Sequence, residues 1–483
     1  MEMREQLAKI VKTENVIDDL GIIKTYSSDL SYAKPMVPFA VVKPKSHKEV
    51  KEIVRWANET TTTLIPVSSG PPHHRGDTVP SVPGAVVVDM SGMKNIISID
   101  RRNKLAIIEP GVTWSELQPE LKKEGMNIPM PLLPREAKSV IGSLLEREPI
   151  TIPKYHWTLL EPLRCCNVIW GNGEEMWTGE AGDQKGTLKE RWENYLYQVS
   201  PLGPHQTDFY RLLSASQGSM GIVTSASVKC EVTPKLHKLF FIQSNKLEEL
   251  IDIAYKLTRY RYGYELFILN RENIIQILGS GSKADAIPAW MIVVSIAGLD
   301  YFPEEQFRYQ KNDITEIVKG FGHQLVPSSK GSLIEKMEKY LIKQSEIPNW
   351  KLNKKGGYED VLFVSTLDKV PQLVKKVMSI AMKNEYELSD IGIYIQPMMQ
   401  GVSCHCEIRL PYEPENQDEK AKVIKFITDG SKELMEQGAY FSRPYGVWSD
   451  MVYGSDYQTT SVLKKVKGIF DPNNIMNTGK LCF

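Results

Sequence analysis

Short apolar runs alternate with amphipathic stretches through the first part of the chain. Residues 39–42 (FAVV) are apolar and β-branched and predict a strand. Ser46 follows, with Glu49 three residues on, a capping-box pattern that marks a helix start. Val50, Ile53, Val54 and Ala57 then recur at helical spacing. Residues 64–67 (LIPV) predict a second strand, ended by the turn-rich SSGPPHHRGDTVPSVPG. Further strands are predicted at 85–89, 96–99 and 105–108. Thr113 with Glu116 repeats the capping box, and that helix should stop near Gly125. Such alternation gives an α/β or α+β class.

The pattern changes near residue 238. KLFFIQ predicts a strand, and KLEELIDIAYKLTRY an amphipathic helix with Leu247, Leu250, Ile251 and Ala254 on one face. WMIVVSIAG (290–298) and VLFVST (361–366) predict strands, the latter followed by the helical DKVPQLVKKVMSIAMKN. IGIYIQPMM and VSCHCEIRL predict paired strands about a turn near Gly401. A separate α+β domain is therefore expected over about 236–425, between a first domain at 1–235 and a C-terminal segment at 426–483, with the helical EKAKVIKFITDGSKELMEQG (419–438) across their junction.

A chain of 483 residues holds two or three domains. Lys+Arg and Asp+Glu both number 59, a balance that argues against a general nucleic-acid binder. The N-terminus lacks the apolar stretch of a signal peptide, and no run approaches a membrane span. The six cysteines form no CxxC pair, so neither a zinc or iron–sulfur site nor a disulfide framework is expected, and a reduced cytoplasmic protein is.

Three loops carry chemistry. Pro66–Asp77 (PVSSGPPHHRGD) follows a strand, and its small residues allow backbone N–H groups to approach an anion, although Pro71 and Pro72 remove two donors. It reads as a phosphate-binding loop or a plain surface loop. Ala215–Thr224 (ASQGSMGIVT) sets two glycines three apart before a strand, which also suits a simple tight turn. Phe470–Leu481 (FDPNNIMNTGKL) reads as an ordered closing segment or a frayed tail.

Taken together, the order and spacing of these loops resemble the vanillyl-alcohol oxidase and p-cresol methylhydroxylase superfamily of FAD-linked oxidases. VVVDMSGMKNIISID with AIIEPGVTWSEL, and GSLLERE (142–148) with EMWTGEAG (175–182), extend the likeness, which is weakest over 235–390. The resemblance implies an α+β protein: a two-subdomain FAD-binding body and a cap with an antiparallel sheet. It places FAD contacts at Ser68, Ser69, Gly70, Pro71, His73 and His74, at Ser139, Gly142 and Ser143, at Gly218, Gly221, Ile222 and Val223, and at Asn477 and Lys480. In some members a histidine of the first loop carries the flavin covalently. His73 and His74 lie near that place, but Pro72 occupies the aligned position. The family also implies a homodimer and an electron acceptor such as oxygen, a quinone or a protein subunit.

The family has two branches to compare. One oxidises 2-hydroxy acids, often with a histidine-held metal. Here IYIQPMMQGVSCHCE offers only His405, and Cys404 and Cys406 should face away from it in a strand, so no metal is expected. The other oxidises para-substituted phenols and aryl alcohols with a late Tyr-Arg pair. Arg443 fits that arginine, Ser442 stands in the tyrosine's place, and Tyr440 and Tyr445 flank it. His156 lies near the family's flavin-side carboxylate and could serve as a base. Arg443, Tyr445, His156 and His405 are thus the candidate catalytic residues. The favoured reading is FAD-dependent oxidation of a small anionic or phenolic donor. A metal-independent 2-hydroxy-acid dehydrogenase and a non-catalytic flavin-fold subunit are the alternatives.

Overall fold

Ser46 starts a helix as its spacing predicts: its hydroxyl accepts the N–H of Glu49 at 3.3 Å, and the helix runs His47–Thr60. Thr113 and Glu116 complete a reciprocal capping box at the head of Trp114–Lys123. The computed structural model describes residues 3–153, 161–179, 190, 207–278, 287–327, 335, 337 and 349–483. His156 lies outside the described residues.

Two sheets form the first body. The smaller is ordered Val16–Ile17, Ala40–Val42, Val86–Asp89, Leu64–Val67, with the last three strands parallel. The second is antiparallel, ordered Ile96–Asp100, Leu105–Ile108, Gly221–Lys229, Leu163–Trp170, Glu175–Trp177. The described strands of the two sheets share no ladder. What joins them is apolar packing: Val50, Ile53, Val54 and Ala57 meet Val86 and Val88 from one sheet and Ile169 and Ile222 from the other. Each such side chain, fully buried, contributes about 1.5–3 kcal/mol.

The cap is a seven-stranded antiparallel sheet, ordered Val326–Pro327, Leu236–Ser244, Trp290–Gly298, Leu266–Asn270, Gly392–Met398, Ser403–Tyr412, Gly357–Ser365. The predicted pair around Gly401 forms, with Met398 opposite Ser403. Gly401 is required there: its φ is +86°, and a Cβ would lie 2.7 Å from Thr258 Oγ1. The expected boundary at residue 425 falls inside the cap's core, which continues through Phe426, Leu434, Phe441 and Trp448. The reason is apolar: the helical stretch 417–436 covers the same face of the sheet as Val370–Lys383.

The chain then returns to the first body. Asp471, 1% exposed, accepts the N–H groups of Ile475 and Met476 at 2.9 Å each and pairs with Lys467 Nζ at 2.5 Å. This turn lays Ile475–Asn477 beside Leu64, which donates to Ile475 O and accepts from Asn477 N–H. Asp471→Ala leaves a buried ammonium and two buried N–H groups without their acceptor. The expected loss is about 3–5 kcal/mol in urea unfolding. Lys467→Met, which leaves the buried Asp471 carboxylate without its cation but still bonded by two N–H groups, should also be destabilising. A loss under about 1 kcal/mol for Asp471→Ala would contradict this account.

Candidate active site

Two cavities meet at the loop after Leu64–Val67, sharing Pro66, Ser68, Asp77 and Glu146. The first is mostly apolar, walled by Met90, Ile141, Leu145, Leu213 and Val223. Its glycines are sterically required. A Cβ on Gly218 (φ +71°) would lie 2.4 Å from Pro66 Cγ, and one on Gly221 would lie 2.7 Å from Ile169 O. Gly218 therefore lets the loop 215–221 lie directly against the Pro66 ring at the start of the loop 66–78. Among the described residues the N–H groups of Ser68, Ser69, Asp77 and Thr78 donate to no protein acceptor. Such donors on a cavity wall are a ready site for an anionic ligand. Burial, then Glu146, pushes the Asp77 carboxyl up to about 6.

Asn477 holds these loops together. Its amide donates to Asp77 O at 2.8 Å and to Gln217 O at 2.6 Å. Lys480 donates to Gly76 O at 2.7 Å.

The second cavity lies between the loop and the cap, with Trp350, Tyr358 and Tyr394 as aromatic walls. Arg443 lines it and is 3% exposed. Strand pairing brings it there: Tyr440 exchanges N–H···O bonds with Val364, which in turn pairs with His405. Phe441 stacks on Trp448 at 5.2 Å and anchors the segment. Arg443 Nη2 lies 3.4 Å from His405 Nε2, and no described carboxylate lies within ion-pairing distance of the guanidinium. Burial and then Arg443 hold the His405 imidazole well below its ordinary pKa. It is neutral at pH 7, accepts at Nε2 and carries its proton on Nδ1. Tyr394 meets His405 edge-on at 6.2 Å and donates to Gln396 Oε1 at 2.6 Å.

Apart from Asp77, the acidic groups at this cavity are already engaged. Asp360 and Glu407 belong to an ion cluster with Arg75, Lys351 and Arg409. Glu148 is bonded by Ser143 Oγ and lies 3.6 Å from Lys138, which pairs with Glu146 at 2.5 Å. Burial would raise the Glu148 carboxyl, but Lys138, the Ser143 bond and Arg443 together hold it below its ordinary range. His73 is lowered to about 4 by burial and Arg135, and His74 lies well below its ordinary value for the same reasons.

The sequence-derived candidates fall into three groups. Ser68, Ser69, His73, His74, Gly142, Gly218, Gly221, Val223, Arg443 and Tyr445 line the two cavities, Tyr445 in the apolar one. Ser139, Ser143, Ile222, Asn477 and Lys480 line neither and act as scaffold. Ser139 Oγ caps the helix Val140–Leu145 and bonds Pro110 O, Ser143 is spent on Glu148, and Ile222 is core. Gly70 bonds outward, its N–H to Ala137 O and its carbonyl to Arg135. Pro71 is exposed. His405 stands behind Arg443. Cys404 and Cys406 point into the cap core on the opposite face, as strand alternation predicts. No group of three His, Cys, Asp or Glu side chains among the described residues is placed to hold a metal ion. Sequence reasoning missed Arg135, Trp350, Lys351, Tyr358, Asp360 and Glu407. These come from segments without a local motif.

A family model described as an FAD binding domain matches residues 38–148. D-2-hydroxyglutarate dehydrogenase of Stutzerimonas stutzeri (strain A1501) is 22% identical over 99% of this chain and 98% of its own. A p-cresol methylhydroxylase structure with substrate bound superposes with a TM-score of 0.82 at 17% identity, covering 99% of this chain and 96% of that one. A 4-ethylphenol oxidase from Gulosibacter chungangensis gives 0.81 at 17% identity, with the same coverage. The flavin-domain match over residues 38–148 and the fold shared with p-cresol methylhydroxylase, added to this two-cavity geometry, identify the chain as an FAD-dependent oxidoreductase with a p-cresol methylhydroxylase type of fold.

Proposed function

We propose that this protein oxidises a small aromatic donor, a para-substituted phenol or aryl alcohol, whose oxygen anion is held by Arg443. The observation that carries this reading is a buried guanidinium with no carboxylate partner among the described residues, facing a cavity walled by Trp350, Tyr358 and Tyr394. A buried charge needs a counter-ion, and here the ligand supplies it. Holding a phenol of pKa near 10 as phenolate at pH 7 costs about 4 kcal/mol, which a desolvated guanidinium offsets.

The residues present fit FAD. The free N–H groups of Ser68, Ser69, Asp77 and Thr78 suit its diphosphate, and the apolar cavity beside Gly218 and Gly221 suits its adenine end. Bound there, FAD supplies the acceptor for the hydride equivalent that leaves the donor. The chain's own part is to bind and orient. Arg443 fixes the anionic oxygen, neutral His405 and Tyr394 position Arg443, and the aromatic walls exclude water. A carboxylate would fit Arg443 equally well, and the likeness to D-2-hydroxyglutarate dehydrogenase supports that second reading, oxidation of a 2-hydroxy acid.

Two measurements test this. Anaerobic titration of the yellow holoprotein with 4-ethylphenol should bleach the flavin spectrum. Bleaching by D-2-hydroxyglutarate alone would replace the aromatic reading with the hydroxy-acid one, and protein that takes up no FAD would end both. Arg443→Met should lower kcat/KM by about 2–5 kcal/mol, roughly 30- to 5,000-fold, with flavin content unchanged. A drop below about threefold would remove Arg443 from donor binding.

A further inference from the structure

A single buried carboxylate connects the loop at 66–78 to the wall of the aromatic cavity. Asp360, fully buried on the strand Gly357–Ser365, receives three cations. Arg75 Nη2 reaches Oδ2 from the loop at 3.2 Å, Lys351 Nζ meets the same oxygen at 2.7 Å, and Arg409 Nε lies 3.3 Å from Oδ1. Lys351 also pairs with Glu407 at 2.7 Å, and Glu407 with Arg409. Arg409 in turn stacks over Trp350 at 4.2 Å. Trp350, Lys351 and Glu407 wall the aromatic cavity from the cap, and Arg75, which lines the same cavity, follows directly on His73 and His74 in the loop that bears the free N–H groups. A second contact runs beside the first: His74 stacks on Tyr358 at 5.1 Å and meets Asn349 at 3.0 Å. The cluster counts three cations against two carboxylates, an excess of one positive charge.

We infer that Arg75 and Asp360 are positioning residues that couple the two binding sites: a ligand that orders the loop 66–78 also orders the cavity wall at 349–360 through this ion pair. Neither touches the donor carbon. Asp360 is engaged on both oxygens, and among the described residues Arg75 is its only cation from outside the cap. The loop cannot shift without leaving Asp360 short of one counter-charge, and in a buried setting such a deficit is large enough to move the strand or the loop with it. Coupling of this kind is reciprocal, so occupancy of the aromatic cavity would tighten the loop in return. The inference rests on the placement of FAD at the loop proposed above and is independent of which donor the cavity takes.

Hydrogen–deuterium exchange of apoprotein with and without FAD tests it, with no donor present. In the wild type, FAD should slow exchange in peptides covering 64–80 and, by about five- to tenfold or more, in peptides covering 349–365. In Arg75→Met the protection at 64–80 should remain and that at 349–365 should vanish. If Arg75→Met does not fold, Arg75→Gln, which keeps a hydrogen-bond donor without the charge, is read in the same way. A merely structural Arg75 would lower the melting temperature yet leave FAD-induced protection at 349–365 intact, and that result overturns the inference. Wild-type protection confined to 64–80 also overturns it. Absence of protection at 64–80 in the wild type would overturn both the inference and the assignment of FAD to the loop on which it rests.

Discussion

The side-chain amide of Asn477 sets the geometry on which the site depends. The apolar cavity lies between two sheets whose described strands share no hydrogen-bond ladder, so nothing in the sheets themselves fixes the distance between their loops. One donor group bonds a carbonyl from each loop, Asp77 O and Gln217 O, and so defines that distance. The arrangement is costly to build. Asn477 is 1% exposed, has φ +37°, and leaves its own Oδ1 without a partner. It persists because the preceding turn is over-determined by Asp471, which satisfies two backbone N–H groups and one buried ammonium at once.

Charge is distributed unevenly across the two cavities. Around the aromatic cavity Glu146, Glu148 and Glu407 are matched by cations, whereas Arg443 and Arg135 have no carboxylate within ion-pairing distance among the described residues. The neutral histidines reinforce this, because His73, His74 and His405 are all pushed below their ordinary values by burial and by nearby cations. The anionic, flat donor proposed above suits the two unpaired guanidinium groups and the aromatic walls. The opposite holds where the cavities join. There Asp77 and Glu146 face the same space, and burial with this like-charge contact raises the Asp77 carboxyl. A group so raised is destabilising once ionised. It favours the folded state at low pH, and that contribution is lost as pH rises through about 6.

The sequence made local structure legible wherever a short-range rule governs it. Ser46 and Thr113 announce their helices because a cap satisfies N–H groups three residues away. The alternation of Cys404, His405 and Cys406 across a strand follows from its two-residue period. The strand Leu163–Trp170 escaped notice because a central strand buried on both faces shows no alternation. The helix Pro303–Gly320 buries only Ile314 and Val318 and otherwise reads as a polar stretch. Two of the three loop motifs line the two cavities, while Ser143, Asn477 and Lys480 line neither and bond to neighbouring loops or side chains. A motif does not distinguish a residue that touches a ligand from one that shapes its container.

The residues that the sequence hid are those whose role exists only across domains. Asp360 sits before an apolar strand run, where a charge reads as a solvated strand end. It is instead fully buried, which is tolerable only because Lys351, Arg409 and Arg75 arrive from 9, 49 and 285 residues away along the chain. Arg443 shows the reverse case. Its position and its candidacy as an anion holder were legible by family resemblance, but its surroundings were not. Among the described residues the structure gives it a neutral histidine and no ion-paired carboxylate. On the function proposed above, the desolvated charge stays uncompensated until a ligand brings the anion.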